Sequence, residues 1–232
     1  MRLIVFSDLH GNYYALEALK KRLEKMSYDY LVFCGDIFGY YYNQKEIINS
    51  LTGMESLVWL KGNHDEYFLN IYAGKVCEDF FVRQYGHSYA NIKARYTDAE
   101  VQIIASHKSK YVIEENHCRI GIFHGTPEDS LEGRLYPDKE VRNKKEYQKY
   151  DVVILGHTHC RMVRKEGHTL IVNPGSLGQP RDGKGFGFAE VDTDSQRVIF
   201  HSIEIDKTNL YQQIEQYDPE LKKLKEVLER KA

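Results

Sequence analysis

The sequence predicts an α/β protein, on three observations. Short apolar runs of strand length alternate with segments of helical period through the first third of the chain. Several of those runs stop abruptly at an Asp, Asn or His, most with Gly beside it. Later segments carry hairpin turn signals between apolar stretches.

Leu3 to Phe6 form the first apolar run, which leads straight into Ser7 and Asp8. Leu16, Leu19, Leu23 and Met26 then recur at helical spacing just past Asn12. The run YLVFCGD ends at Gly35-Asp36, Ile47, Ile48 and Leu51 mark a second helix, and SLVWLKGNHD is a third strand with a polar end. This alternation implies parallel strands covered by helices, with ligands expected beyond the carboxyl ends of the strands. Asp8, Asp36 and Asn63 all fall at such ends.

Residues 66–110 read as a helical insertion, polar and dotted with aromatics (Tyr67, Phe68, Tyr72, Phe80, Phe81, Tyr85). A capping box at Thr97 and Glu100 opens a helix through Val101 and Ile104. KYVIEE and RIGIFHG predict a hairpin around Asn116, a charged helix is expected over 139–150, and DVVILGHTH is another strand with a polar end. Residues 162–205 predict antiparallel hairpins, with turns at Glu166-Gly167 and Thr193-Asp194. A tail helix is expected with Asp218 as N-cap, Pro219 in its first turn and Leu221, Leu224 and Leu228 on one face. The organisation expected is one domain over 1–232, with 66–110 as an insertion or cap and 206–232 as a helical tail.

With 232 residues, 42% of them hydrophobic, the chain can bury a sizeable core. A net charge of −2 leaves no electrostatic footprint for a long nucleic-acid duplex. No apolar stretch reaches the ~20 residues of a membrane span, and the start does not read as a signal peptide. The four cysteines are widely spaced, which reads as reduced, mostly buried thiols in a cytoplasmic protein.

Five strand-end motifs carry the chemistry: Asp8-x-His10, Gly35-Asp36, Gly62-Asn63-His64-Asp65, His124-Gly125 and Gly156-His157-x-His159. An Asp, His and Asn set without thiolates suits divalent ions such as Mn, Fe, Ni or Zn. Two ions would need a ligand that both can share, and Asp36 has the carboxylate oxygens to serve two. His87, His107, His117, His168 and His201 lack this setting and read as ordinary.

The order D-x-H, GD, GNHD, HG, GHTH resembles the calcineurin-like metallophosphoesterase superfamily, over residues 2 to about 205. The resemblance implies a four-layer α/β/β/α sandwich with two packed mixed sheets around a two-metal site. It implies that Asp8, His10 and His159 hold one ion, that Asn63, His124 and His157 hold the other, and that Asp36 bridges them. His64 would be an outer histidine that protonates the leaving group, with Asp65 either orienting it or lying in a surface ion pair. NPGSLGQPRDG is similar to a compact prokaryotic phosphodiesterase branch grouped with diadenosine tetraphosphatase-like proteins. That branch usually has a Gly-Pro-rich loop where this chain has Tyr40-Tyr41-Tyr42-Asn43.

The implied activity is hydrolysis of a small phosphoester or nucleotide by a hydroxide activated between two ions. Arg181 in the loop 179–185 could offer a guanidinium to phosphate, and the three tyrosines could stack on a base or pack against a neighbouring helix. The first residues of the insertion must begin at the rim of the site, so part of it is expected to line the cleft and limit substrate size. Two other readings compete: a non-catalytic scaffold on the same fold, as in the retromer scaffold subunit, and a nuclease for short oligonucleotides. Scaffolds tend to lose a ligand or the outer histidine, and here all are present.

Overall fold

The computed structural model describes residues 1–231. Strands β1 (Arg2–Phe6), β2 (Tyr30–Phe33) and β3 (Leu57–Trp59) run parallel, connected by helices α1 (Tyr13–Leu23) and α2 (Gln44–Thr52). Between β3 and β4 (Lys110–Glu115) lie α3 (Asn63–Tyr72), α4 (Glu78–Tyr85), a 3-10 turn (His87–Tyr89), α5 (Ile92–Arg95) and α6 (Asp98–Ser106). Then follow β5 (Cys118–Phe123), α7 (Lys144–Tyr147), β6 (Val152–Ile154), β7 (Arg161–Glu166), β8 (Thr169–Pro174), β9 (Gly187–Asp192) and β10 (Arg197–Ser202). Helices α8 (Thr208–Tyr217) and α9 (Lys223–Glu226) and a 3-10 turn (Val227–Glu229) follow.

Two five-stranded mixed sheets result, in the orders β10-β9-β1-β2-β3 and β4-β5-β6-β8-β7. Side-chain alternation explains why they pack. Along β1, Leu3 and Val5 point to one face and Ile4 and Phe6 to the other, and all four are buried. Leu3, Val5, Val32 and Cys34 meet Ile120, Ile122, Val152 and Ile154 in a core between the sheets. Ile4, Phe6, Leu31 and Phe33 meet Leu16, Leu19 and Ile47 under the helices. On the outer face of the second sheet, Val153 and Ile171 are covered by Leu135, Val141 and Tyr147. A strand covered on both faces reads as a continuous apolar run, as β1 and β2 do.

Four expectations need correction. The helix expected over 139–150 is only the single turn α7, because Val141 and Tyr147 point inward without an apolar stripe at i, i+3 and i+4. In the tail, Asp218 ends α8 instead of opening a helix. Its carboxylate accepts from the His87 N–H and the Tyr42 hydroxyl, and that outside demand overrides capping. The expected apolar face is split, with Leu224 and Leu228 buried but Leu221 only partly so. Of the cysteines, Cys34 alone is fully buried, Cys77 is exposed, and Cys118 and Cys160 are intermediate. Cys77 sits just ahead of α4, a helix with no buried residue. Among the described residues no helix is long and apolar enough to cross a membrane.

Candidate metal centre and active site

Asp8 follows β1, Asp36 follows β2, Asn63 opens α3 just beyond β3, His124 follows β5 and His157 follows β6. The motifs therefore come from both sheets, whose strand ends meet. Asp8, His10, Asp36, His157 and His159 all have positive φ. Such a backbone costs roughly 1–3 kcal/mol for each non-glycine residue, and it persists where the surroundings over-determine it. The loops are held by hydrogen bonds between them. Asp8 N–H donates to Gly35 O, and His10 N–H to Asp36 O.

The segment NPGSLGQ clamps these loops. Asn173 Nδ2 donates to Gly156 O and Thr158 Oγ1, Ser176 Oγ donates to Asp8 O, and Asn12 Nδ2 donates to Gly178 O. Gly178 packs so closely on Leu9 that a Cβ there would overlap its carbonyl. Asn12 also caps α1, accepting from Ala15 N–H at 3.2 Å.

The imidazoles are oriented by backbone carbonyls. Nδ1 lies 2.6 Å from Phe38 O in His10, 2.6 Å from Gln179 O in His159 and 2.8 Å from Cys34 O in His124. A carbonyl can only accept, so each Nδ1 carries the proton and each Nε2 presents a lone pair. Those lone pairs face other acceptors. His10 Nε2 is 3.0 Å from His159 Nε2, and His124 Nε2 is 3.0 Å from Asn63 Oδ1, whose amide nitrogen is used on Tyr67. Asp36 Oδ2 lies 3.6 Å from His10 Nε2 and 3.4 Å from His124 Nε2, between the two groups. Asp8 Oδ1 and Asp36 Oδ2 are buried without a hydrogen-bond donor.

Acceptors aimed at acceptors in a buried space fit cations. Asp8, His10 and His159 can hold one, and Asp36, His124 and His157 another. Asn63 Oδ1 adds a neutral donor to the second group.

Burial dominates the site's proton affinities. It holds His10 and His64 well below the ordinary imidazole range, helped by His159 at the first and Arg181 at the second. It lowers His157 to about 3, with His124 adding to the effect, and it lowers His159, with Arg181 adding. Burial, then Asp65 and Asp8, push Asp36 well above the usual carboxylate range. For Asp8 burial works upward, but His159, His124 and His10 outweigh it and the carboxyl stays low.

A pH prediction follows. The unfolded chain protonates its histidines near pH 6.5, while His10, His64, His157 and His159 stay neutral in the folded chain to lower pH. The unfolded state then binds more protons, so metal-free stability should fall as pH drops below about 6.5. Asp36 and Asp65, both raised by burial, oppose this from above their unfolded pKa, but with His107 also lowered by burial they are two groups against five. Urea midpoints of chelator-treated protein from pH 7.5 to 5 should decrease steadily, and a flat or rising series would contradict the scheme.

Around this centre sits a rim. The His64 ring has Tyr85 at 4.6 Å, Tyr40 at 5.2 Å and Tyr67 at 5.4 Å between centroids. Tyr67 donates its hydroxyl to Glu132 at 2.7 Å, across to the β5–β6 loop. Arg181 donates to the Tyr40 hydroxyl and to Gln179 Oε1, each at 2.9 Å. Arg134 Nε donates to His157 Nε2 at 2.7 Å. Sequence reasoning missed Arg134, an arginine in a charged loop with no motif around it.

Two assignments change. Asp65 neither orients His64 nor joins a surface ion pair. It is buried and accepts from Gly62, Asp36, Ile37 and Phe38 N–H groups, shaping the Asp36 loop. Of the three tyrosines only Tyr40 reaches the site, while Tyr41 and Tyr42 bind the tail through Leu224 O and Asp218. Of the insertion's aromatics, Tyr67 and Tyr85 border His64, Phe68 stacks on Phe38 in the core, and Tyr72 and Phe80 point elsewhere.

The family model for the calcineurin-like phosphoesterase superfamily domain matches residues 1–196. The chain is 27% identical to the uncharacterized protein MJ0912 of Methanocaldococcus jannaschii, over 90% of each chain. It shares its fold with the hypothetical protein PH1004 of Pyrococcus horikoshii (TM-score 0.80, 18% identity, 100% of this chain and 99% of that one). The same holds for a metallophosphoesterase from Sphaerobacter thermophilus (TM-score 0.76, 23% identity, 99% and 98% covered). With the five motifs gathered at the ends of two packed sheets and the family match spanning most of its length, the chain belongs to the calcineurin-like phosphoesterase superfamily.

Proposed function

We propose that the protein is a divalent-metal-dependent hydrolase of small phosphodiesters or nucleotides. Asp8, His10 and His159 would hold one ion, Asn63, His124 and His157 a second, and Asp36 both. One observation carries the reading: Asp36 Oδ2 has no donor and lies 3.6 and 3.4 Å from the two inward Nε2 lone pairs of His10 and His124. When bound, such ions supply charge stabilisation at the phosphoryl group and a nucleophile at neutral pH. Oxygen and imidazole donors without thiolate suit Mn, Ni, Fe or Zn.

The chain's own groups do the rest. Arg181 and Arg134 flank the centre, and their guanidinium forks match phosphoryl oxygens. His64 gives a proton to the leaving oxygen. Tyr40, Tyr67 and Tyr85 narrow the approach, and the Glu132 carboxylate at the rim repels a long polyanion. These features favour small substrates over a duplex or a folded phosphoprotein. The test is metal analysis of the purified protein, then a panel of monoesters, diesters, dinucleoside polyphosphates and short oligonucleotides with Mn, Ni, Mg and Zn. Two ions and turnover of a small ester are expected. No turnover with any metal would favour the scaffold reading.

A further inference from the structure

Tyr89 is fully buried, so it cannot touch a substrate, yet its hydroxyl meets His64 twice. It lies 2.9 Å from His64 Nδ1 and 3.0 Å from the His64 carbonyl oxygen. The phenol has one proton and the carbonyl can only accept, so the hydroxyl donates to the carbonyl. It therefore accepts from Nδ1–H. This places the proton of neutral His64 on Nδ1 and leaves Nε2 as the nitrogen that takes up a second proton and can then give it to a leaving oxygen.

Gly39 closes on the same atom. Gly39, at φ +86°, lies where any Cβ would overlap His64 Nδ1. The Tyr40 and Tyr85 rings flank the imidazole at 5.2 and 4.6 Å and limit its tilt. Among the described residues no carboxylate hydrogen-bonds the ring: the nearest sequence candidate, Asp65, is engaged with four backbone N–H groups.

We propose that Tyr89 is a positioning residue that fixes the tautomer and plane of His64, with Gly39 leaving the space this requires. The inference rests on the phosphoesterase reading only for its consequence in catalysis, since the tautomer can be measured without metal or substrate. It gives the segment between β3 and β4 a second role. The stretch whose tyrosines border the cleft also sets the group expected to protonate the leaving oxygen.

The test uses ¹⁵N-histidine-labelled, metal-free protein, with His64→Ala identifying the His64 signals. Wild-type His64 should be the Nδ1–H tautomer. Tyr89→Phe keeps the ring and removes the hydroxyl, so it should admit the Nε2–H form. In the metal-loaded enzyme Tyr89→Phe should keep two ions and an unchanged KM. It should lose about tenfold to a hundredfold in kcat on a diester with a poor leaving group, the scale of a small misplacement, and far less on a nitrophenyl ester. Gly39→Ala crowds the same nitrogen and should show the same pattern. An unchanged tautomer in Tyr89→Phe, or equal losses on both leaving groups, overturns the proposal. If the wild type hydrolyses no ester, the phosphoesterase reading falls, and the tautomer measurement still decides the role of Tyr89.

Discussion

Replacing Asp36 by Asn will empty both metal positions and at the same time raise the stability of the metal-free protein. The two effects have one cause. Asp36 is 1% exposed, its Oδ1 accepts from His64 N–H at 2.9 Å, and its Oδ2 has no donor. Burial, Asp65 and Asp8 all disfavour its charge. Asn keeps the accepting oxygen and puts an NH₂ group where Oδ2 stood, facing the Nε2 lone pairs of His10 and His124. Removing an unpaired buried acceptor of this kind is worth about 1–3 kcal/mol, or roughly 2–12 °C in a chain of this size. The advantage of Asn should grow as pH rises above the ordinary carboxylate range. A carboxyl with a raised folded pKa destabilises the fold more as pH rises and the unfolded chain ionises freely.

Metal reverses the ranking. At a hundred times its Kd each ion stabilises the folded wild type by about 2.7 kcal/mol, and an Asn nitrogen that donates cannot ligate. Calorimetric midpoints with chelator and with Mn, together with metal analysis, decide it. His10→Ala, which removes a donor from one group, should weaken chiefly one ion. An Asp36→Asn protein that is less stable without metal, or that still binds an ion with full affinity, would refute the shared role of Asp36.

The contrast between what the sequence revealed and what it hid has a physical basis. The strand ends were legible because a doubly covered strand is a continuous apolar run, and Asp8, Asp36, His124 and His157 each interrupt one. Turn chemistry marked the hairpins β4–β5, β7–β8 and β9–β10. Sharing between sheets was not legible locally. β7 and β8 join the second sheet while β9 and β10 join the first, and β8 also pairs parallel with β6. The two-sheet arrangement came from the family resemblance and not from periodicity.

Side-chain partners across long separations were the least legible. Asp218 serves His87 and Tyr42, respectively 131 and 176 residues away. Nothing in its Asp-Pro context distinguishes that duty from helix capping. Likewise α8 falls within the helical tail expected over 206–232 but had no bounds of its own, although Asp206 accepts from the Thr208 N–H at its start and Leu210 and Ile214 are buried beneath it. Tyr89 and Arg134 lie outside every motif, and only the fold brings them to His64 and His157.

His64→Ala should retain both ions and lose ~10²–10⁴-fold in turnover on esters with poor leaving groups, the usual range for general-acid catalysis. The alternative is a ligand role, because His10, Asp36 and His64 offer donor atoms within 4.8 Å of one another and could together hold an ion. The Tyr89 hydroxyl on Nδ1 leaves Nε2 open to either role, and what argues for the acid is that the ligands on either side form complete groups without His64. Burial and then Arg181 hold its proton affinity well below the ordinary imidazole range in the free protein. A bound phosphoryl group would offset the Arg181 charge and add negative charge of its own, so substrate itself raises the protonated fraction. An alkoxide leaves slowly without that proton, whereas nitrophenolate departs unaided, so the loss on a nitrophenyl ester should be much smaller. Metal content measured alongside the two rates separates the roles. If the variant loses an ion, His64 is a ligand. If it keeps both ions but slows both esters equally, His64 serves binding and the leaving oxygen takes its proton from elsewhere.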